Sequence, residues 1–107
     1  MKILVVEDNK DLAGILKEHF LEEDFSVEIA RTGQECLEMA KRNDYACVII
    51  ETVLSDMDGI EVITTLREKN NHVPIIILSE RESIDDKIKG LNKGADDHMT
   101  KPFDFGE

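Results

Sequence analysis

The sequence predicts a single α/β domain in which helices cover both faces of a five-stranded parallel sheet. Three observations support this fold class. Short β-rich runs alternate with amphipathic helical patterns along the chain. Strand candidates such as ACVII and IIIL are apolar at every position, as expected when both faces of a strand are buried. The length of 107 residues suits one compact domain and is too short for two.

The candidate strands lie at residues 3–6, 26–29, 46–50, 75–78 and 98–100, the last being the weakest. Four helical patterns separate them. The first predicts a buried stripe made of Leu12, Ile15, Leu16, His19 and Phe20. In a sheet of this kind the crossovers are right-handed, and ligands bind beyond the carboxyl ends of the strands.

Capping pairs mark where the later helices begin. Thr32 with Glu35 opens the second helix, the third covers residues 59–69, and Ser83 with Asp86 opens the fourth. The stripes predicted to face the sheet are Cys36, Leu37 and Ala40 in the second helix, Ile60, Ile63 and Leu66 in the third, and Ile84, Ile88 and Leu91 in the fourth. Asp104 and Glu107 have the same spacing, which predicts a fifth helix that is truncated or missing here. Apolar strand residues uncovered by its absence would favour a homodimer.

Charge and cysteine content exclude several classes of function. The 24 acidic and 13 basic residues give a net charge of −11, which argues against direct nucleic-acid binding and against binding to anionic membranes. Cys36 and Cys47 form no zinc or disulfide pattern, so both are predicted to be small core residues. The apolar run at residues 3–6 is too short for a signal peptide or a membrane span, which predicts a reducing, cytoplasmic location.

Polar side chains cluster where the candidate strands end. They are Glu7, Asp8, Glu51, Ser79 and Lys101. Three carboxylates brought together repel unless a cation lies among them, and all-oxygen ligands suit Mg²⁺. A lysine and a hydroxyl opposite them would hold the oxygens of a phosphoryl group. Each residue alone has an ordinary explanation as a cap, a loop hydroxyl or a surface lysine, so the prediction depends on their agreement.

The segments ILVVEDN, DYACVIIETVLSDMDGIEV, VPIIILSE and GADDHMTKPF resemble, in order and spacing, the blocks of response regulator receiver domains of two-component systems. The resemblance covers the whole chain, residues 1–107. It implies a flavodoxin-like sheet of strand order 2-1-3-4-5. It also implies phosphorylation by a sensor histidine kinase, and contact with an output domain or partner protein through the fourth helix and fifth strand. Apart from its own phosphorylation and dephosphorylation, no enzymatic activity is implied.

The resemblance also implies roles for individual residues. Mg²⁺ would be held by Glu7, Asp8, the acceptor side chain and the main-chain carbonyl of Val53. Ser79 would contact the phosphoryl group and Lys101 would pair with it. The peptide bond before Pro102 would be cis, and Ser79 with the residue at position 98 would form the switch pair.

Four positions depart from the family pattern, and the lesser two are Ser55 in place of a proline and Glu80 in place of a small residue. Glu51 occupies the place of the phosphorylated aspartate, and His98 occupies the place of an aromatic switch residue. One extra methylene displaces an attacking carboxylate, so phosphorylation would be weakened or blocked, and the longer acid would partly imitate a phosphoryl group. Natural divergence and an introduced phosphomimetic substitution both fit Glu51.

Two readings of different class stay open. The first is a Mg²⁺-dependent phosphoryl-accepting switch that is impaired by Glu51. The second is an interaction module on the same fold that works without phosphorylation. A calcium loop at residues 56–59 is rejected because Leu54 and Thr65 would occupy essential ligand positions, and a dinucleotide site is rejected because no glycine follows the first strand.

Overall fold

Five parallel strands form one sheet in the computed structural model of the chain, in the order β2-β1-β3-β4-β5. The strands are β1 (Lys2–Val6), β2 (Ser26–Ala30), β3 (Cys47–Glu51), β4 (Ile75–Glu80) and β5 (Asp97–Lys101). The helices with complete bounds are α1 (Lys10–Glu22), α2 (Gly33–Arg42) and α3 (Gly59–Glu68). The structure describes residues 1–80, 88 and 91–101. The predicted fold class and strand order are confirmed.

The sheet is buried on both faces because its central strands are apolar at successive positions. On one face the strand residues Leu4, Val6, Val48, Ile50, Ile75 and Ile77 join a cluster with α2 and α3. On the other face Ile3, Val5, Ile49 and Leu78 pack with Leu16 of α1. With both faces occupied by apolar side chains, polar chemistry is left to the ends of the strands.

Each of the three complete helices begins at a side chain that caps its free backbone N–H groups. The capping residues are Asn9, Thr32 and Asp58, whose side-chain oxygens accept from N–H groups two or three residues later. Thr32 is the cap predicted from its spacing to Glu35, and Glu35 is the donor. That part of the sequence prediction is confirmed.

Three apolar residues that helical spacing assigns to buried stripes are exposed instead. Ile15 is 54% exposed, Ile88 52% and Leu91 38%. In α1 Leu16 is buried, Leu12 and Phe20 pack against the same cluster and His19 is half-buried, so the predicted stripe is confirmed except at Ile15. The predictions for Ile15, Ile88 and Leu91 were therefore wrong. Spacing fixes which residues share a helix face, but the direction of that face depends on the packing of the whole helix.

The stripes predicted for the second and third helices are confirmed. Cys36, Ala40, Ile60, Ile63 and Leu66 are buried, and Leu37 is half-buried. The start of the fourth helix, with Ile84, and the fifth-helix signal at residues 104–107 lie outside the described residues. Within the described ranges, no helix is long and apolar enough to cross a membrane.

Arg67 joins the end of α3 to the loops that precede β4 and β5. Its guanidinium donates five hydrogen bonds of 2.7 to 3.2 Å. The acceptors are the carbonyls of Asn71, Val73 and Gly94 and the carboxylate of Asp96. Gly94 has φ 122°, and a Cβ there would lie 2.8 Å from Arg67 Cγ, so this close approach requires glycine.

Candidate functional site

The predicted site residues follow the carboxyl ends of four strands at one edge of the sheet. The register pairs Val6 with Ile50, Glu51 with Leu78, Ser79 with Thr100, and Glu80 with Lys101. Neighbouring strands are about 4.8 Å apart. The sheet therefore brings the backbones of Glu7, Glu51, Ser79 and Lys101 into its last rows, as the sequence predicts.

Two carboxylates at this edge are buried on neighbouring strands. Glu7 directly follows β1 and is 2% exposed, and Glu51 ends β3 and is 4% exposed. Continuing the β1–β3 register one residue beyond the pair Val6 and Ile50 places Glu7 opposite Glu51. Each lies two residues after Val5 or Ile49, whose side chains face α1, so both carboxylates are on that same face of the sheet. Two buried like charges on one face repel, which favours a cation between them.

The carboxylate of Glu51 is held by the loop that follows its own strand. Its Oε1 accepts from the backbone N–H of Val53 at 3.3 Å and from the hydroxyl of Thr52 at 3.2 Å. Thr52 is itself buried, and its N–H donates to the carbonyl of Leu78 at 3.2 Å. These contacts place the Glu51 charge at the start of the β3–α3 loop.

Gly59 allows the β3–α3 loop to return close to the end of β3. Its N–H donates to the carbonyl of Thr52 at 2.8 Å, and Val53 forms an antiparallel bridge with Asp58. A Cβ on Gly59 would lie 2.2 Å from the carbonyl oxygen of Glu51. Non-bonded atoms do not approach so closely, so the first residue of α3 must lack a side chain.

Asp56 links the same loop to the beginning of α2. Its Oδ1 accepts from the N–H of Gly33 at 2.8 Å, and its Oδ2 accepts from the N–H of Gln34 at 3.0 Å. The hydrogen bonds from Gly33 and then Gln34 hold the pKa of the Asp56 carboxyl below its usual value, although the side chain is exposed. A carboxylate is stabilised there by the positive end of the helix dipole.

The oxygen donors at this edge fit Mg²⁺ in their chemistry. Glu7, Asp8 and Glu51 supply carboxylates and Val53 supplies a carbonyl, which are ligands that a hard cation prefers. Asp8 is exposed and Val53 is 68% exposed, so a Mg²⁺ ion held by them would keep bound water, as this ion usually does. Among the described residues, no three acidic, histidine or cysteine side chains lie close enough together to hold a metal ion. The complete ligand set stays a prediction.

The other predicted site residues are placed by their backbones alone. Ser79 lies in β4, His98 lies in β5 opposite Ile77, and Lys101 ends β5. The side chains of these three residues and the whole of Pro102 lie outside the described part of the chain. Contact with a phosphoryl group, the switch roles of Ser79 and His98, and the cis peptide bond all stay predictions.

Two acidic residues of the β3–α3 loop have roles that are not among the sequence predictions. Asp58 caps α3, and an Asp directly before an apolar helical stripe is a recognised signal for such a cap. Asp56 contacts Gly33 across 23 positions of sequence. No local pattern predicts a contact of that range.

Both cysteines are free and lack the features of reactive thiols. Cys36 is fully buried, and burial raises its pKa to about 12. Cys47 is half-buried, and burial also raises its pKa. The prediction of a small core residue is confirmed for Cys36, whereas Cys47 is only partly covered. A thiolate nucleophile is therefore disfavoured at both positions.

Comparison with known proteins agrees with the arrangement of the strand ends. The family described as response regulator receiver domain matches residues 3–107. The chain is 35% identical to the transcriptional regulatory protein PcoR of Escherichia coli, over 99% of this chain and 47% of that protein. It is 39% identical to the transcriptional regulatory protein SrrA of Staphylococcus aureus, over 95% of this chain and 42% of that protein.

Solved structures give the same result. The receiver domain of the Francisella response regulator 1452 aligns with a TM-score of 0.90 at 38% identity, covering 96% of this chain and 85% of that one. The receiver domain of the TMAO respiratory system response regulator TorR aligns with a TM-score of 0.89 at 30% identity, covering 98% and 87% of the two chains.

The fold and its acidic edge thus define a signal-receiving module of two-component systems. The chain belongs to the response regulator receiver domain family. Receiver domains generally use Mg²⁺ for phosphorylation. The chain spans about half the length of the curated relatives it matches.

Proposed function

We propose that Glu51 occupies the phospho-acceptor position of this receiver domain, where it blocks efficient phosphorylation and partly imitates the phosphorylated state. The domain would comprise residues 1–107, receive its input from a sensor histidine kinase in the cytoplasm, and regulate an output domain. At most the domain would catalyse its own phosphorylation and dephosphorylation, and Glu51 impairs even that chemistry.

One observation carries this proposal. The Glu51 carboxylate is buried at the end of β3 and accepts hydrogen bonds from Val53 and Thr52 of the next loop. A carboxylate held at this point attracts the N–H and hydroxyl groups of the β3–α3 loop. It is therefore positioned to stabilise one arrangement of that loop without a covalent modification.

The length of the side chain is the reason for poor phosphorylation. In-line attack on phosphorus needs a near-attack geometry, and a displacement of about 1 Å can cost roughly 10²-fold in rate. The extra methylene of Glu51 relative to aspartate gives a displacement of that order. The hydrogen bonds from Val53 and Thr52 further restrain the carboxylate.

The same length explains partial imitation of the phosphorylated state. It extends negative oxygens toward the region assigned to the phosphoryl group, where Ser79 and Lys101 would meet them. Glu51 supplies one negative charge, whereas a phosphoryl group brings nearly two. Partial and constitutive signalling is the expected result.

Glu7, Asp8, Glu51 and the Val53 carbonyl would hold Mg²⁺. The ion would supply charge neutralisation to the phosphoryl oxygens when bound. The residues of the chain itself do the remaining work: Ser79 and Lys101 orient the oxygens, and Glu7 with Asp8 keeps the cation near the acceptor.

Incubation with Mg²⁺ and acetyl phosphate tests the assignment of Glu51. The parent chain should stay unmodified, whereas Glu51→Asp should gain the mass of one phosphoryl group. Glu51→Asn is the matched control, because it has the aspartate length without a carboxylate to attack phosphorus. Intact mass spectrometry reads all three outcomes, and rapid modification of the parent at position 51 would show that the length argument is wrong.

A phosphorylation-independent interaction module is the second candidate. It is favoured by Ile88 and Leu91, which expose apolar surface on the helical segment before β5. That surface suits an output domain, a partner protein or a second copy of the chain. Failure of both the parent and Glu51→Asp to accept a phosphoryl group would favour this candidate over the first.

A further inference from the structure

The β3–α3 loop has firm attachments at both of its ends. At its start Thr52 bonds to Leu78 of β4, and at its end Gly59 bonds back to Thr52. The bridge between Val53 and Asp58 closes the base of the loop. The side chain of Val53 is 68% exposed, so packing contributes little to the position of its backbone.

The tip of the loop is attached to a different element. Asp56 accepts hydrogen bonds from Gly33 and Gln34, the first two residues of α2. Helix α2 already has its own cap in Thr32, which accepts from Glu35. Asp56 therefore satisfies N–H groups that the local cap does not reach, and it does so from the next crossover of the chain.

A second contact supports the same attachment. Met57 is half-buried against the core cluster on the α2 and α3 face. A Cβ at Gly33 would lie 2.4 Å from Met57 Cγ, so the absence of a side chain at Gly33 makes room for Met57. The loop tip thus contacts α2 through one charged and one apolar residue.

We propose that Asp56 is a positioning residue for the metal-binding loop: by bonding to the start of α2, it fixes the carbonyl of Val53 and the N–H that holds Glu51. This inference rests on the proposed Mg²⁺ site and adds a residue outside the acidic edge. Residues that orient a metal ligand typically change metal affinity by about 10–100-fold when removed. Because Asp56 is exposed, we expect the lower end of that range.

Thr32 offers a matched control. Thr32→Ala removes a cap from the same helix but breaks no bond to the β3–α3 loop. Asp56→Ala and Thr32→Ala should each lower the Tm by about 5 °C, the usual effect of a lost cap in a domain of this size. Asp56→Asn removes the negative charge but keeps one acceptor oxygen for α2, so it separates charge from positioning.

The experiment is a titration of the parent and the three variants with MgCl₂, followed by amide NMR shifts of residues 52–54. Asp56→Ala should weaken Mg²⁺ binding about 10-fold, whereas Thr32→Ala and Asp56→Asn should stay within about 2-fold of the parent. Equal weakening in Asp56→Ala and Thr32→Ala would assign the effect to helix stability. Equal weakening in Asp56→Asn and Asp56→Ala would assign it to charge. Either result overturns the positioning role.

Hydrogen exchange provides a readout that needs no metal. Asp56→Ala should speed exchange of the Gly59 amide, whose bond to Thr52 closes the loop, whereas Thr32→Ala should leave it unchanged. Unchanged exchange in Asp56→Ala overturns the inference even if the parent binds Mg²⁺. Faster exchange combined with no Mg²⁺ response in the parent would retain the link between loop and helix and reject the metal site of the proposed function.

Discussion

Replacing Gly59 with alanine should strongly destabilise the domain. The new Cβ would lie 2.2 Å from the Glu51 carbonyl oxygen and 3.0 Å from Thr52 Cα. An ordinary carbon–oxygen contact is about 3.3 Å, so the two segments must separate by about 1 Å. Both neighbouring atoms belong to the backbone, and no flexible side chain can move aside to relieve the clash.

The expected loss of stability follows from three contributions. Overpacking costs about 3 kcal/mol when relief requires backbone movement. Stretching the Gly59–Thr52 hydrogen bond costs about 1 kcal/mol. The better helix propensity of alanine returns less than about 1 kcal/mol, because Gly59 is the first residue of α3 and not an interior one. The net loss of about 3 kcal/mol corresponds to a fall in Tm of about 15 °C.

Thermal unfolding followed by circular dichroism measures this change, with Gly14→Ala as the control. Gly14 lies inside α1, and a Cβ there meets no heavy atom within 4 Å. Gly14→Ala should therefore stabilise the domain by about 0.5–1 kcal/mol. Opposite signs for the two substitutions are the expected result. A Gly59→Ala variant that melts as high as the parent would refute the argument from close approach.

Three further predictions concern other parts of the chain. Arg67→Lys should lower the free energy of unfolding by about 2–3 kcal/mol, because one ammonium group cannot reach all the oxygens to which the guanidinium donates. An unchanged midpoint of urea unfolding would contradict this prediction. Folding lowers the pKa of Asp56, so the stabilisation by its carboxylate is present above the ordinary pKa of 3.8 and is lost as the pH falls through the folded pKa. The difference in unfolding free energy between the parent and Asp56→Asn should therefore shrink in acid. A difference that grows below about pH 4 would contradict the lowered pKa. At about pH 8 a thiol reagent should label no more than one cysteine per native chain and both cysteines in denaturant, because burial raises the pKa of Cys36 to about 12. Rapid labelling of Cys36 in the folded protein would count against its burial.

The sequence was sufficient for the elements whose signals are local. Apolar runs located the strands, and the spacing of Thr32 to Glu35 located the start of α2. Polar residues after successive strands predicted the acidic edge, because the carboxyl ends of parallel strands meet at one edge of the sheet. The burial of Glu7 and Glu51 next to each other in the register agrees with that reasoning.

The features that the sequence did not reveal depend on packing between distant elements. The spacing of Ile88 and Leu91 gave a helical stripe but not the direction in which it points. The contact of Asp56 with α2 joins two separate crossovers. The direction of the Glu51 carboxylate depends on a loop whose path is set by Gly59. Periodicity describes one element at a time and carries no information on such contacts.

The position of β1 between β2 and β3 has a consequence for the order in which the domain assembles. Pairing of β1 with β2 closes a shorter stretch of chain than pairing of β1 with β3, so its loop-closure entropy is smaller. Glu7 and Glu51 lie next to each other only because β1 pairs with β3. We therefore expect partial opening of the sheet between β1 and β3 to separate the two acids while the β1-α1-β2 unit stays folded. Native-state hydrogen exchange would then show earlier release of the amides that bind β1 to β3 than of those that bind β1 to β2.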